Sequence, residues 1–504
     1  MNTSIFISEE SARCMLCQNA PCTKACASGQ PDRFIRSLRF DNISQSMKWI
    51  EECSSDDLAA AESACIHYDR PIRIKALAEA VRNSGSASHQ EHLPSLEIKF
   101  CGLTCENPFF LASSAVCTNY EMVAKAFDAG WAGVFYKTIC FQEINEVSPR
   151  FDAVHSSKRG DFYGFRNMEQ LSENPVEMDF DILSRLKKNY PSRIVVASIL
   201  SRLKKNYPSK IVVASIMGQT EEEWIELAKM AEKAGVDAIE LNFSCPQMRL
   251  AGMGSDVGQN SELVTFYTAY VKRNVSIPVI PKMTPNITNL NVPATGAYFA
   301  GADAISAINT IKSITMSPGS EVSSRKTVSG YSGRAVKPIA LRHILEMTQN
   351  PIIKNIDFSG IGGVETWRDA LEFIQLGCCN VQVCTSVMQF GYRIIDDLIS
   401  GLQAYMASHG ISQLSVLVGE KIKDFSLASE LDRETMVFPK INRELCIGCG
   451  RCSISCYDGG HQAIIFDETR KPKILGQKCV GCHLCVHVCP TGAISSANRI
   501  MKIK

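Results

Sequence analysis

The 504-residue sequence lacks a long apolar run, an excess of charge of one sign and an export signal. No stretch reaches about 18 consecutive apolar residues, so we expect no membrane-spanning helix. The 53 Lys and Arg residues nearly balance the 52 Asp and Glu residues, which excludes the strongly basic surface of nucleic-acid-binding proteins. The first residues, MNTSIFISEESARC, show no basic segment followed by an apolar one. We therefore predict a soluble cytoplasmic protein that binds neither nucleic acid nor membrane.

Cysteine, in contrast, is abundant, with 22 residues. Disulfide-stapled proteins are short secreted chains, so this many cysteines in a long cytoplasmic chain favour metal binding. Twelve of the 22 fall in three tight runs near the two ends of the chain, at 14–26, 446–456 and 479–489. The spacing within these runs therefore decides which metal group they hold.

Composition and periodicity divide the chain into three parts. Residues 1–90 have helical apolar spacing, and residues 436–504 form a small cysteine-rich unit. Between them, residues 96–415 alternate short continuous apolar runs with amphipathic helices, a pattern typical of a parallel sheet buried on both faces. The eight runs are FFLASS (109–114), GVFYKT (133–138), IVVASI (211–216), AIELNFS (238–244), VIPKMT (279–284), AISAINT (304–310), DFSGIG (357–362) and NVQVCT (380–385). We predict an α/β fold, a (β/α)₈ TIM barrel, for this part.

A tandem duplication interrupts the barrel pattern. The segment LSRLKKNYPSRIVVASI (183–199) is followed at once by LSRLKKNYPSKIVVASI (200–216), and the two copies differ only at Arg193 and Lys210. A closed barrel cannot accept a ninth strand without changing its shear, so one copy must lie outside it. We expect the second copy to supply the barrel strand, since it leads directly into the next helix. A recent duplication, an assembly error and a functional insertion all remain open as its origin.

The carboxy-terminal runs both have the spacing C-x₂-C-x₂-C-x₃-C. In ferredoxins, three thiolates at this spacing hold one [4Fe–4S] cluster and the fourth ligates the other cluster. Zinc is the alternative, but zinc sites normally use pairs of ligands. We predict a ferredoxin-like domain with two [4Fe–4S] clusters. The ligand sets are Cys446, Cys449, Cys452 with Cys489, and Cys479, Cys482, Cys485 with Cys456.

The amino-terminal run also suits an iron–sulfur cluster. Its four thiols are Cys14, Cys17, Cys22 and Cys26. The run resembles the amino-terminal iron–sulfur domain of dihydropyrimidine dehydrogenases and of glutamate synthase small subunits, which carry two clusters. We expect one [4Fe–4S] cluster here; whether the two further cysteines of this part, at positions 53 and 65, bind another stays open.

Polar residues end the apolar barrel strands, where the active sites of this fold lie. Glycines after the seventh strand and a polar turn after the eighth occupy the usual phosphate-binding position of such barrels. Lys282 on the fifth strand can place positive charge beside the N1/C2 edge of a flavin. No G-x-G-x-x-G motif follows a strand, so no dinucleotide-binding fold is expected. FMN is therefore the predicted cofactor.

Residues 96–500 resemble the catalytic subunit of bacterial NAD-dependent dihydropyrimidine dehydrogenases. The resemblance is carried by GWAGVFYKT, GFRNMEQLSENP, ELNFSCPQM, AGMGSDVGQ, KMTPN, AINT, SGYSGRAVKPIALR, SGIGG and CGRCSISCYDGGHQAI. It implies flavin contacts at Ala112, Ser113, Lys137, Asn242, Lys282, Asn309, Gly333, Gly363, Cys384 and Thr385. It also implies pyrimidine contacts at Asn167, Glu169, Asn242, Asn309 and Thr310, and a catalytic Cys245. A separate FAD- and NAD(P)H-binding flavoprotein subunit, in a homo- or hetero-oligomer, is implied as well.

The implied reaction is the reversible reduction of uracil and thymine to 5,6-dihydropyrimidines. Hydride passes from FMN N5 to C6, and a mostly protonated thiol at Cys245 gives the proton to C5. The glycine-rich segment after Cys245 is expected to be a mobile lid. A buried structural role for Cys245, a dihydroorotate dehydrogenase-like flavoenzyme and an electron-transfer protein with impaired catalysis are the alternatives.

Overall fold

The computed structural model describes residues 3–67, 69–85, 93–155, 162–190, 210–246, 248, 252–314 and 327–502. Its amino-terminal part is helical, as predicted. The helices are α1 (Thr3–Ala12), α2 (Pro21–Ala25), α3 (Pro31–Arg39), α4 (Ile43–Ser46), α5 (Ser55–Ser63) and α6 (Ile74–Asn83). Apolar residues at helical spacing, such as Phe34 and Leu38 on α3 and Leu77 and Val81 on α6, form a core of their own.

This helical part docks on the next one through a buried ion pair. The guanidinium of Arg36 donates to Asp397 Oδ2 at 2.7 Å and to Asp396 Oδ2 at 3.0 Å. Ser37 Oγ donates to the other oxygen of Asp397 at 2.7 Å. Because Arg36 and Asp397 are both buried, loss of either side chain would leave an uncompensated charge, so the contact fixes how the two parts meet.

The central part is a closed parallel barrel. Its strands, which include three hairpins outside the barrel, are β1 (Ile98–Phe100), β2 (Leu103–Cys105), β3 (Phe109–Leu111), β4 (Gly133–Phe135), β5 (Phe151–His155), β6 (Phe162–Asn167), β7 (Ile211–Ile216), β8 (Ala238–Asn242), β9 (Val279–Lys282), β10 (Ala304–Ala307), β11 (Ile311–Ser313), β12 (Ser329–Ser332), β13 (Asp357–Ile361) and β14 (Cys378–Val383). The barrel order is β3-β4-β7-β8-β9-β10-β13-β14. All eight predicted strands are thus confirmed, in chain order, as a TIM-type barrel.

Amphipathic helices surround the barrel. They are α7 (Tyr120–Ala129), α8 (Val176–Asn189), α9 (Glu221–Lys233), α10 (Ser255–Gly258), α11 (Ser261–Lys272), α12 (Asn291–Phe299), α13 (Lys337–Thr348), α14 (Trp367–Gln375), α15 (Thr385–Phe390) and α16 (Ile395–Ser408). Side-chain caps define some of their starts: Thr220 accepts from the backbone of Glu223, and Thr366 forms a capping box with Asp369. Among the described residues, no helix combines the length and apolar character needed to cross a bilayer.

A four-stranded antiparallel sheet, in the order β11-β12-β6-β5, lies at the mouth of the barrel. It joins two insertions, one after β4 and one after β10. The insertions approach so closely that a Cβ on Gly164 would lie 2.0 Å from the carbonyl oxygen of Ser332. The sequence prediction did not include this sheet, which carries residues of the site described below.

The carboxy-terminal part is small and has two similar halves, each with one helix. Its elements are β15 (Thr435–Ile441), α17 (Arg451–Gly459), β16 (Ile464–Ile465), β17 (Lys473–Ile474), α18 (Leu484–His487) and β18 (Ile494–Met501). Strands β15 and β18 pair antiparallel and join the two ends of the unit. Cys452, Ile464, Cys485 and Ile494 form its core.

The duplicated segment contributes one helix end and one strand. The first copy supplies the end of α8, which stops at Asn189, and the second copy supplies β7, which pairs with β4 and β8. This confirms that the second copy provides the barrel strand. The strand segment of the first copy and the start of the second lie outside the described residues.

Deleting residues 191–207 is expected to raise the thermal midpoint and the solubility without loss of flavin binding. The deletion joins Tyr190 to Pro208 and leaves four residues between α8 and β7, a usual length for such a connection. It also removes one copy of IVVASI, an uncharged segment of high β propensity. Calorimetry and flavin titration of the two proteins provide the measurement.

A second deletion, of residues 200–216, gives the same product except for Arg193 in place of Lys210. Lys210 is buried and forms an ion pair with Glu106, a contact that arginine can also make. The two products are therefore expected to behave alike. A deletion protein that misfolds or loses flavin would show that the extra copy is an integral part of the barrel.

Candidate active site

A cavity of about 1050 Å³, counting its open mouth, lies at the carboxyl ends of the barrel strands. The sequence predicted fourteen contact or catalytic residues in this part, and all of them line it. They are Ala112, Ser113, Lys137, Asn167, Glu169, Asn242, Cys245, Lys282, Asn309, Thr310, Gly333, Gly363, Cys384 and Thr385, with Asn242 and Asn309 assigned to both flavin and substrate. Residues far apart in the chain thus surround one space.

Thirteen of these fourteen residues are candidate contacts, and the remaining one, Cys245, is the candidate catalytic group. Two of the contacts are buried lysines, and each is paired with a carboxylate. Lys137 Nζ lies 2.7 Å from Glu169 Oε1, and Lys282 Nζ lies 3.6 Å from Glu240 Oε1. Glu240, on β8, is fully buried inside the barrel. Both cations are therefore held in place at the cavity wall, where an anionic ring would need them.

The amide of Asn242 is oriented by its neighbours. Its Oδ1 accepts from the backbone N–H and the hydroxyl of Ser244, at 3.2 and 2.8 Å. Its Nδ2 consequently faces Thr138 Oγ1 at 2.8 Å and Cys245 Sγ at 3.3 Å. Because Ser244 fixes the carbonyl oxygen of this amide, its NH₂ group is held on the side of Thr138 and of the Cys245 thiol.

Cys245 lies in a setting that keeps a thiol protonated at neutral pH. Burial raises the pKa of the Cys245 thiol, while Lys282 and the hydrogen bond from Asn242 act in the opposite direction. The thiol lines the cavity and has the protonation state of a general acid. The predicted lid is the glycine-rich segment after Cys245. Its residues 247 and 249–251 lie outside the described residues.

Two further amides face the same space. Asn309 Nδ2 donates to Ser244 Oγ at 2.8 Å, and its Oδ1 accepts from the backbone of Thr310 at 2.7 Å. Asn167, at the end of β6, donates to the carbonyl of Gly330 at 3.2 Å. Donors and acceptors placed in this way suit a flat ring with alternating carbonyl and N–H groups.

The inserted sheet adds lining residues that were not among the predicted contacts. Phe151, Phe165, Tyr331 and Ser332 all face the cavity. Aromatic residues in alternation with small or polar ones, as in FYGFRN and SGYS, are a strand signal that could have found them. The rings of Phe151, Phe165 and Tyr331 give the mouth of the cavity an apolar wall, which favours a stacked planar ligand.

Two glycine turns, at Gly333 and Gly363, pack against each other beside β13. Gly363 has φ of +77° and Gly333 has φ of +116°, a region that favours glycine. A Cβ on Gly363 would lie 3.0 Å from the carbonyl oxygen of Gly333 and from the backbone nitrogen of Lys337. Both turns line the cavity beside Thr385, a position that would suit the phosphate end of a flavin nucleotide, and the buried lysines would suit its ring.

Two smaller cavities in the carboxy-terminal part are each lined by four cysteines. A cavity of about 350 Å³ is lined by Cys456, Cys479, Cys482 and Cys485. A second cavity, of about 320 Å³, is lined by Cys446, Cys449, Cys452 and Cys489. Each group takes three thiols from one run and the fourth from the other, which is the crossed pairing predicted from the spacing.

The amino-terminal cysteines of the predicted quartet have two further cysteines, Cys53 and Cys65, as neighbours. The pKa of the Cys14 thiol is raised to about 11, chiefly by burial, and the neighbouring Cys22 and Cys17 contribute to this shift. Burial likewise raises the pKa of Cys22 to about 11, with Asp32 and Cys65 adding to the shift. Cys26 instead contacts Cys53, with 3.4 Å between the sulfurs. Cys65 is thus a second candidate for the fourth ligand beside Cys26.

No group of three or more His, Cys, Asp or Glu side chains converges closely enough for a single metal ion in the described part of the chain. A [4Fe–4S] cluster holds four iron atoms and places its thiolates around a larger body than one ion. Rings of four thiols around a cavity therefore fit clusters better than they fit zinc.

Comparison with known families assigns the two main parts. The family model described as dihydroorotate dehydrogenase matches residues 176–406. The model described as 4Fe-4S dicluster domain matches residues 439–496. The first match covers much of the flavin-type barrel, and the second covers both cysteine rings.

Individual relatives cover most of the chain. The NAD-dependent dihydropyrimidine dehydrogenase subunit PreA of Escherichia coli (strain K12) is 50% identical over 406 residues, which are 79% of this chain and 94% of that protein. The chloroplastic dihydropyrimidine dehydrogenase (NADP(+)) of Arabidopsis thaliana is 36% identical over 361 residues, 68% of this chain and 81% of that protein. The catalytic subunit of dihydroorotate dehydrogenase B (NAD(+)) of Pyrococcus abyssi is 33% identical over 335 residues, 65% of this chain and 99% of that protein.

Proposed function

Since the chain belongs to the dihydropyrimidine dehydrogenase family and is an oxidoreductase, we propose that it reduces uracil and thymine reversibly to 5,6-dihydropyrimidines. The observation that carries this proposal is the cavity that collects two paired lysines, three amides and the thiol of Cys245. These groups match the two needs of the reaction. The reduced flavin ring is anionic and needs positive charge beside it, and C5 of the pyrimidine needs a proton donor.

The pyrimidine contacts proposed are Asn167, Glu169, Asn242, Asn309 and Thr310. Reduction of the C5–C6 double bond develops negative charge toward O4, and amide N–H groups fixed in advance stabilise such charge. The fixed amide of Asn242 serves this purpose best, because Ser244 holds its carbonyl away from the cavity. Cys245 then donates its proton to C5 as the general acid.

FMN is the flavin proposed, and when bound it supplies and accepts hydride. Lys137 and Lys282 hold positive charge at its ring, and Asn242 and Asn309 orient it. The remainder of the nucleotide would be bound by backbone groups and by the hydroxyls of serine and threonine. The residues proposed are Ala112, Ser113, Gly333, Gly363, Cys384 and Thr385. Glu169 and Glu240 keep the lysine side chains in position.

Electrons are proposed to reach the flavin through the two carboxy-terminal [4Fe–4S] clusters. When bound, the clusters would supply one-electron transfer and the flavin would supply two-electron hydride chemistry. We propose a separate FAD- and NAD(P)H-binding flavoprotein subunit as their source, within a homo- or hetero-oligomer. The name of the Escherichia coli relative, a subunit with NAD-dependent activity, supports this. A cytoplasmic location fits, since reducing compartments keep cluster thiols free.

Dihydroorotate oxidation is the second candidate, because the Pyrococcus abyssi relative matches almost its full length. The two reactions act on the same ring bond but differ in the substrate carboxylate, which orotate has and uracil lacks. The test compares uracil, thymine and orotate as oxidants of the reduced holoprotein after its flavin has been identified and quantified. Turnover with uracil and thymine supports the proposal, and turnover with orotate alone overturns it.

The amino-terminal cysteines are proposed to hold one further [4Fe–4S] cluster. We expect Cys14→Ala to lower the iron content by about four atoms, one cluster. Comparing Cys26→Ala with Cys65→Ala then identifies the fourth ligand, since Cys65 is close to Cys22 while Cys26 contacts Cys53. Iron analysis of the three variants provides the measurement. Unchanged iron in Cys14→Ala would remove the cluster from this part of the protein.

A further inference from the structure

The barrel interior beneath the cavity contains a buried carboxylate with two serine donors. Glu240 Oε1 accepts from Ser215 Oγ at 2.9 Å, and Glu240 Oε2 accepts from Ser306 Oγ at 3.1 Å. Paired with Lys282, the carboxylate can only accept hydrogen bonds. The single proton of each serine hydroxyl is therefore committed to Glu240.

This commitment fixes the orientation of a glutamine on the last barrel strand. Ser306 has given its proton to Glu240, so it can only accept from Gln382, whose Nε2 lies 2.9 Å away. The same Nε2 donates to Ser359 Oγ at 2.9 Å, and Ser359 in turn donates to Asn380 Oδ1. The NH₂ group of Gln382 consequently faces the two serines, and Oε1 must face another direction.

That oxygen is an acceptor in need of a donor. Gln382 is only 1% exposed and lines the cavity. Its Oε1 has no hydrogen-bond partner among the residues that the structure describes. Buried polar groups in folded proteins are nearly always paired, and because Gln382 lines the cavity, the molecule that fills it is the candidate source of the missing donor.

We propose that Gln382 is a further cofactor-binding residue whose Oε1 accepts a hydrogen bond from a ribityl hydroxyl of the flavin, and that Glu240 positions it through Ser306. The inference rests on the proposed flavin site. Gln382 comes just before Cys384 and Thr385, the proposed contacts near the phosphate end. The hydroxyls of the ribityl chain are the donors that a flavin nucleotide carries between its ring and its phosphate.

Gln382→Met, which keeps the length of the side chain but removes the acceptor, tests the contact. We expect the FMN dissociation constant, measured by fluorescence titration of the full-length apoprotein, to rise about tenfold, the effect of losing one buried hydrogen bond. We also expect the thermal midpoint of the apoprotein to stay level or rise, because an unpaired buried acceptor is removed. If Gln382 only stabilised the fold, the substitution would lower the thermal midpoint instead.

Unchanged FMN affinity in the Met variant overturns the inference. Absence of FMN binding in the unsubstituted protein is a different result, and it refutes the proposed function itself. Lumiflavin, which lacks the ribityl hydroxyls, is the matched probe: the substitution should leave its affinity unchanged. An equal loss of affinity for lumiflavin would contradict the assignment to the ribityl chain.

Ser306→Ala tests the positioning role while it leaves the Glu240–Lys282 pair in place. We expect a severalfold loss of FMN affinity, since the amide is no longer held from that side. The double variant Ser306→Ala/Gln382→Met should lose no more affinity than Gln382→Met alone, because the serine acts through the glutamine. Fully additive losses would show that Ser306 affects flavin binding independently and would overturn the positioning role.

Discussion

Cys245→Ala is expected to lower the rate of uracil reduction by at least about 10²-fold while FMN stays bound, the usual size of one general-acid contribution. The thiol lines the cavity beside Asn242 Nδ2, and burial raises its pKa so that it carries a proton at neutral pH. Alanine cannot supply that proton to C5. Steady-state rates and flavin absorbance of the purified variant provide the measurement, and near-normal turnover would remove Cys245 from the mechanism.

The pH profile separates a proton donor from a packing residue. The acid form of the thiol is lost as the pH rises through its raised pKa, so the rate should fall on an alkaline limb above the ordinary thiol value of about 8.5. Cys245→Ser should keep a small residual activity without this limb. Cys140→Ala is the matched control, since its buried thiol is directed to the carbonyl of Gln142. We expect this control variant to keep the normal rate and the same fall in rate at alkaline pH.

Paired cysteine substitutions in the carboxy-terminal part should show whether the two runs exchange ligands. Cys456 and Cys479 line the same cavity although they belong to different runs. Cys456→Ala/Cys479→Ala should therefore lose one cluster, about four iron atoms, and keep the other. Activity supported by the partner flavoprotein should fall below detection, because the electron path is interrupted.

Cys452→Ala/Cys456→Ala is the reciprocal pair. These two cysteines share a run but line different cavities, so we expect the loss of both clusters, about eight iron atoms. If each run held its own cluster, the result would be reversed: Cys456→Ala/Cys479→Ala would lose both clusters and Cys452→Ala/Cys456→Ala would lose one. Iron analysis on the same preparations thus decides between crossed and uncrossed ligation.

The barrel could be predicted from the sequence because parallel strands buried on both faces are continuous apolar runs. IVVASI and AIELN have this character, and polar residues such as Asn242 and Lys282 mark the ends where the site lies. The crossed cysteine rings were predictable for a similar reason, since their spacing is local. The barrel and the dicluster domain are confirmed; the individual roles of the site residues stay predictions.

Features that depend on contacts between distant segments could not be predicted in this way. The sheet formed by β5, β6, β11 and β12 brings two insertions together, and neither insertion has enough apolar residues to indicate its partner. The proximity of Cys65 to Cys22 depends on helix packing rather than on spacing. Glu240 and Gln382 did carry a signal, because a charged or amide side chain within an apolar strand requires a buried partner.

The most direct test of the account is anaerobic mixing of the reduced holoprotein with uracil, followed by flavin absorbance and product analysis. We expect rapid reoxidation of the flavin with dihydrouracil formed in proportion to the flavin oxidised, and the same outcome with thymine. Flavin that stays reduced in the presence of both pyrimidines, in a protein with its FMN and clusters intact, would contradict the claim that this cavity reduces them.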